Sequence, residues 1–420
     1  MKKVTTFALF ISLFFVKISA QTLDTLTMGP GYSVQTWYKF ETDKETKSPI
    51  NNWDLAFTAR KLDAAIWVNP NAKLYKAVAP ASAWSTMTVD TLALTQTQTN
   101  TDTSWFVGAM NRTQDGVFDY GWGNYSVASH NVTGDSVYVI KSITDGKWRK
   151  LFIERLALDT SFFVRIADLN GANQSTFEVK KGAYAGKNFA YYSFAANTQL
   201  DREPLAKDWD VTVARHWGLT PDANGVYQSY LLTGFLQNNG VSVAKVVKRD
   251  TTNDSYAGQV FRPISNVIGA DWKSFNLNTN AWKVADSTVY FVKTPITGRI
   301  YKMIFTGFGG SGTGNCIFTR EVVGQITSVK VADDKIAALA VSPNPATDGN
   351  FTIVYDFGKT PQSANFQLFN LAGQAVFSQK LQNTEGVQTL QMPQLNLSNG
   401  VYLARLTFDG QSLVRKIVIQ

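Results

Sequence analysis

The sequence predicts an all-β protein: two tandem β units followed by a small Ig-like β-sandwich. Three observations carry this. Val, Thr, Tyr, Phe and Trp are abundant and suit a pleated, half-buried surface, while no segment keeps a helical period beyond about two turns. A set of short motifs recurs at a spacing of about 150 residues. All eleven tryptophans lie at or before Trp282, which sets apart a tryptophan-free stretch of 138 residues at the end of the 420-residue chain.

Residues 1–20 read as a signal peptide. Lys2 and Lys3 precede the apolar run FALFISLFFV at 7–16, and Ile18, Ser19 and Ala20 form a small-residue cleavage site. The run is shorter than the roughly 20 residues a spanning helix needs, so no transmembrane segment is expected. Removal of this peptide takes away Lys2, Lys3 and Lys17 and lowers the formal charge from +8 to +5. That is too weak a field to imply nucleic acid as a partner. The single cysteine, Cys316, excludes an intrachain disulfide, a cysteine zinc site and an iron–sulfur cluster, and reads as a buried small apolar residue. Two histidines, His130 and His216, exclude a His-rich metal centre.

The body, residues 21–325, is read as two copies of one unit, at 21–182 and 183–325. WYKF at 37–40 and WDLAF at 53–57 are matched by YYSF at 191–194 and WDVTV at 209–213, with offsets of 154 and 156 residues. WGNY at 122–125 is matched by WKSF at 272–275, and YVIK at 138–141 by YFVK at 290–293. Alternation at 138–141 and 148–153, with Asp145-Gly146 between them, reads as a hairpin. Each copy is long enough to bury its own core. The polar tract TQTQTNTDTS at 95–104 has the composition of an exposed loop.

Residues 326–339 are the expected linker and 340–420 the sandwich. In the strand at 402–408, Tyr402, Ala404, Leu406 and Phe408 share one face, as a half-buried strand requires. The sequence signature is Pro343-Asn344-Pro345, the turn at Gly373, Asn399-Gly400-Val401-Tyr402 and a basic-plus-aliphatic ending through Lys416. This resembles the type A C-terminal sorting domain of the Bacteroidetes type IX secretion system. The resemblance implies export through the periplasm and across the outer membrane by that machinery. Removal of the domain usually follows, and the body is released or attached to the cell surface.

Tyr38, Phe40 and WDLAF at 53–57, followed by the hairpin from Tyr138 to Leu151, resemble the HmuY-like haem-binding proteins of Bacteroidetes. The second copy carries the more divergent WDVTV and the segment from Tyr290 to Met303. The resemblance implies an all-β ligand-binding body, with haem held between two axial His or Met side chains in an apolar, aromatic-walled cleft. The candidates are His130, His216 and Met110, with Met87 as a further possible ligand in the first copy. The two histidines occupy non-equivalent positions in different copies. The expected function is therefore an exported surface or secreted binding protein for haem or another small hydrophobic ligand. The alternative is an adhesin or glycan-binding protein using exposed aromatic platforms. No catalytic constellation is legible, so an enzyme is not expected. Asp54 and Asp210 read as turn-capping or ion-paired residues with Arg60 and Arg215 nearby. GFGGSG at 307–312 is followed by a strand-like run rather than a helix, so it reads as a hairpin loop and not a nucleotide site.

Overall fold

The computed structural model describes residues 21–420 apart from 92, 93, 95, 116, 117, 127, 223, 248–253, 286, 326–336, 348 and 410. The signal peptide expected at 1–20 and most of the expected linker lie outside these residues. The protein is all-β: among the described residues the only α-helix is the single turn Gly310–Thr313. That turn overlaps the end of the glycine-rich segment at 307–312 and joins two paired strands, Arg299–Phe308 and Asn315–Gln325.

The body does not divide into consecutive units at 21–182 and 183–325. Strand Thr22–Thr27 pairs with Asn315–Gln325, and strand Val34–Lys39 pairs with Val211–Pro221. Strand Leu55–Thr58 pairs instead with Phe189–Ser193. One spatial unit is thus formed by residues 51–205, and it is inserted into a second unit formed by 21–50 together with 206–325. Their cores are separate clusters, one around Phe57, Trp122, Tyr138 and Phe162, the other around Tyr38, Phe235, Trp272 and Tyr290. The matched motifs take corresponding places in the two units, with the hairpins at 34–49 and 189–200 traded between them. Only residues 50–52 separate strand Lys44–Pro49 from Trp53, so the chain crosses directly from one sheet to the other.

The exchange is locked by two equivalent clasps. The Asp54 amide donates to the Tyr192 carbonyl at 2.9 Å, and the Asp210 amide to the Tyr38 carbonyl at 2.8 Å. The Phe194 amide donates to Asp54 Oδ2 at 2.8 Å, and the Phe40 amide to Asp210 Oδ2 at 2.9 Å. Asn69 and Asn238 complete the relation, each donating from Nδ2 to the carbonyl of the preceding key tryptophan, Trp53 at 2.8 Å and Trp209 at 2.9 Å. Arg60 and Arg215 are not the partners of these aspartates. Arg60 pairs with Asp63, and Asp210 pairs with Lys39 at 2.9 Å. Asp54 instead accepts Ser142 Oγ at 2.8 Å and the Ile143 amide at 2.9 Å, so a buried carboxylate is satisfied by fixed dipoles rather than by a cation.

Between the units lies an aromatic seam of Trp37, Trp53, Trp67, Trp105, Tyr191 and Trp209. Trp105 Nε1 donates to the Gln237 carbonyl across it at 2.7 Å. The Arg202 guanidinium sits in this seam, 5.1 Å from the Trp37 ring centroid, 5.5 Å from Trp53 and 4.7 Å from Tyr191. It donates to Gln35 Oε1 at 3.0 Å and to the Pro49 carbonyl at 2.9 Å, so ring quadrupoles and two acceptors surround it, and the buried Glu203 adds an electrostatic contribution.

The tail is a seven-stranded sandwich with its own core. A three-stranded sheet (Ala337–Ser342, Thr352–Phe357, Gly386–Gln391) faces a four-stranded one built on Ala364–Phe369, Ala375–Lys380, Gly400–Phe408 and Gln411–Ile419. Its first strand begins at Ala337, inside the expected linker.

Candidate functional site

Two cavities adjoin the two histidines. The larger, about 190 Å³, opens beside His130. Its floor is Ala64, Val132 and Leu156, all buried. Phe118 and Tyr125 stack as one wall, with ring centroids 5.7 Å apart. The hairpin Gly123–Ser126 to Asn131–Gly134 carries His130 in its turn, where the residue takes a left-handed φ of 54°. The Tyr125 hydroxyl and His130 Nδ1 share a hydrogen bond of 2.8 Å, which fixes the ring and leaves Nε2 as the nitrogen able to meet a ligand.

The opposite wall is the turn at 60–65, held by a buried polar network. Arg60 Nε and Nη2 both donate to Asp63 Oδ2, at 3.0 and 2.7 Å. Asp159 accepts the Leu62 amide at 2.7 Å and pairs with Lys181, whose ammonium also donates to the Asp63 carbonyl at 2.8 Å. Burial raises the Asp159 carboxyl, and Lys181 pulls it back. Burial likewise raises the Tyr120 phenol in this cavity, with Asp63 and Asp159 adding to the effect, so its hydroxyl is a neutral donor or acceptor. The cavity is thus apolar with a few fixed polar groups, the lining that orients a small ligand. Its remaining wall, Ala340, Val341, Ser342 and Val354, belongs to the tail.

The smaller cavity, about 40 Å³, lies on the seam between the units and is lined by Trp53, Trp67, Trp105, Tyr191, Trp217 and His216 among others. Neither ring nitrogen of His216 makes a hydrogen bond of ordinary geometry. Burial lowers His216 to about 4, opposed in part by Asp102 and the Ala214 carbonyl, so the ring is neutral.

The structure does not bring the sequence-derived haem candidates together. His130 and His216 line different cavities with no lining residue in common. Met110 is buried in the core of the inserted unit, and its carbonyl accepts from the Tyr138 hydroxyl. Met87 packs against the Trp84 cluster. Pockets for drug-sized ligands are clefts of about 300–1,000 Å³; the His130 cavity, with the tail as one wall, encloses less than that, and the seam cavity far less. These residues therefore do not fit a haem held between two axial side chains. The tryptophans do not form an exposed row either: Trp282 alone is exposed, and eight of the eleven are buried. Among the described residues no cluster of His, Cys, Asp or Glu is arranged to hold a metal ion. Sequence reasoning missed Asn69 and Asn238 as partners of the clasps, and Phe118, Tyr125 and Asp159 as the frame of the His130 cleft.

The tail motif residues have clear structural work. The Asn344 side chain bridges the last strand, donating from Nδ2 to the Lys416 carbonyl at 2.7 Å and accepting the Val418 amide at 2.8 Å. It is flanked by Pro343 and Pro345, both joined through cis peptide bonds. Gly373 sits at φ 80° in the turn closed by its amide on the Asn370 carbonyl. Gly400 begins the strand that carries Tyr402, whose hydroxyl donates to the Ser398 carbonyl at 3.0 Å.

Residues 340–420 match the secretion system C-terminal sorting domain family. Comparison with curated proteins finds no match. Among solved structures, the EFF-1 fusogen on extracellular vesicles is 9% identical, with 98% of this chain and 92% of that chain covered and a TM-score of 0.16. The Escherichia coli alpha-2-macroglobulin activated by porcine elastase is 10% identical, with 97% and 35% covered and a TM-score of 0.14. Neither superposition is close enough to argue a fold. The tail is a type IX sorting domain. The protein is accordingly exported, with the type IX machinery as its partner, and is secreted or attached to the outer-membrane surface. Among the described residues no helix is long and apolar enough to cross a membrane.

Proposed function

We propose that the exported body is a binding protein, not an enzyme, and that it captures a small, mainly apolar ligand with a hydrogen-bonding end in the cleft beside His130. The observation that carries this reading is the cleft itself: an apolar floor of Ala64, Val132 and Leu156 facing His130 and Tyr125, whose polar atoms are already oriented by each other. The HmuY-like motifs at 53–57 and 138–151 agree with a ligand-binding body. A glycan platform is less well supported, because the tryptophans that would form it are in the core. The test is a titration of the body, residues 21–325, whose cores contain no tail residue, with anilinonaphthalene sulfonate, a long-chain fatty acid and haemin in separate arms. The expected result is saturable one-site binding of the dye, displaced by the fatty acid and weakened about tenfold by His130→Ala; a tenfold change is about 1.4 kcal/mol. A Soret shift at one equivalent of haemin would return haem as the ligand. Absence of saturable binding in every arm would overturn the reading.

A further inference from the structure

We infer that the sorting domain is also the lid of the His130 cleft, closing it on the cell side of export and opening it only when the domain undocks or is removed. This rests on the reading of the cleft as a ligand site. In strand Thr352–Phe357 the residues Ile353, Tyr355 and Phe357 fill the core of the tail, so Val354 and Asp356 belong to its outward face. An isolated sandwich would leave that face in water, yet Val354 and Asp356 are only 6% and 4% exposed. The body covers them. Val354 forms part of the cleft wall beside Ala340 and Ser342, and Asp356 Oδ2 meets Lys61 Nζ at 2.5 Å at the cleft edge. Lys61 adjoins Leu62, the residue whose amide is pinned by Asp159, so the anchor of the tail stands beside a hydrogen-bonded wall of the cleft. The tail therefore does not merely follow the body along the chain. It supplies one complete wall of the cleft and restricts the route by which a ligand would enter.

The experiment compares dye binding by three proteins: the full mature chain, the same chain carrying Val354→Arg, and the body alone. Val354 faces away from the tail core, so the substitution should undock the tail without unfolding it; small-angle scattering reports the undocking as expansion. The full chain should bind the dye at least tenfold more weakly than the body, and Val354→Arg should restore most of the difference. A second pair guards against misfolding: Lys61→Glu should open the cleft, and Lys61→Glu combined with Asp356→Lys should close it again. Equal binding by all three proteins would overturn the lid and leave the ligand site standing. Binding by none, with Val354→Arg expanded as expected, would overturn the ligand site and the lid with it.

Discussion

Asp54→Ala tests the clasp on which the exchanged architecture depends. The carboxylate is fully buried and accepts the Phe194 amide at 2.8 Å and the Ile143 amide at 2.9 Å, along with the hydroxyls of Ser142 and Thr144. Hydroxyls can turn toward other acceptors. The Phe194 and Ile143 amides are held in the turns that follow their strands, and a buried donor left unpaired costs about 1–3 kcal/mol. Two of them give a loss of about 4 kcal/mol, or roughly 6 °C in Tm for a body of this size. Asp54→Asn keeps one acceptor oxygen and should lose about half as much. All eleven tryptophans lie in the body, so urea unfolding followed by tryptophan fluorescence reads the body without interference from the tail. A loss below about 1 kcal/mol for Asp54→Ala would refute the argument, since it would mean that the amides find other partners.

The second clasp should behave differently: Asp210→Asn leaves the Lys39 ammonium buried and should cost about 3–5 kcal/mol, whereas the double change with Lys39→Met should recover most of that in the same urea assay. Burial raises Glu203 from 4.5 to about 7, so its contribution is full below pH 4.5 and lost as pH rises through 7. His216 is lowered from 6.5 to about 4, so its contribution is full above pH 6.5 and lost as pH falls through 4. Each shift corresponds to about 3 kcal/mol, and the two slopes oppose between pH 4.5 and 6.5. Urea midpoints across that range should therefore rise with pH in Glu203→Gln and fall with pH in His216→Phe; parallel profiles in the two variants would count against both assignments. Cys316 is buried, with its thiol pushed up to about 12, and should resist a disulfide reagent at pH 8 until the body unfolds. Trp272→Ala removes a ring stacked 3.9 Å from Phe305 and should cost about 3–5 kcal/mol by thermal unfolding.

The motifs at 37–40, 53–57, 191–194 and 209–213 were legible because each packs its aromatic residues at fixed spacing against a strand. What they could not reveal is which copy pairs with which. Tyr38 beside Val211, and Tyr192 beside Leu55, make the same local contacts that a within-copy pairing would make. The choice is made by the short connection at 50–52, which carries no motif of its own. The tail was legible for a related reason: Gly373 and Tyr402 take part in local hydrogen bonds, so their roles are written in nearby sequence, whereas Asn344 reaches across to the last strand. The His130 cleft was not, because its floor and walls come from separate segments, with Ala64, Phe118, Val132, Leu156, Asp159 and Val354 among them, brought together only by packing. Alternation in the strand Thr352–Phe357 separates its two faces; it does not say that the outer one will be covered.

The exchanged hairpins impose an order on assembly. Thr22, near the start of the mature chain, sits opposite Arg320, and Thr36 sits opposite Val213. During vectorial emergence strand Thr22–Thr27 has no partner until residues 315–320 have followed, and strand Val34–Lys39 has only its hairpin neighbour Lys44–Pro49 until residues 211–213 arrive, while residues 51–205 hold all the partners they need. The inserted unit can therefore close first and offer its tryptophan face as a template for the other. Such distant pairings make folding slow. For an exported chain, that delay leaves residues 22–27 without their sheet partner until the end of the body has arrived.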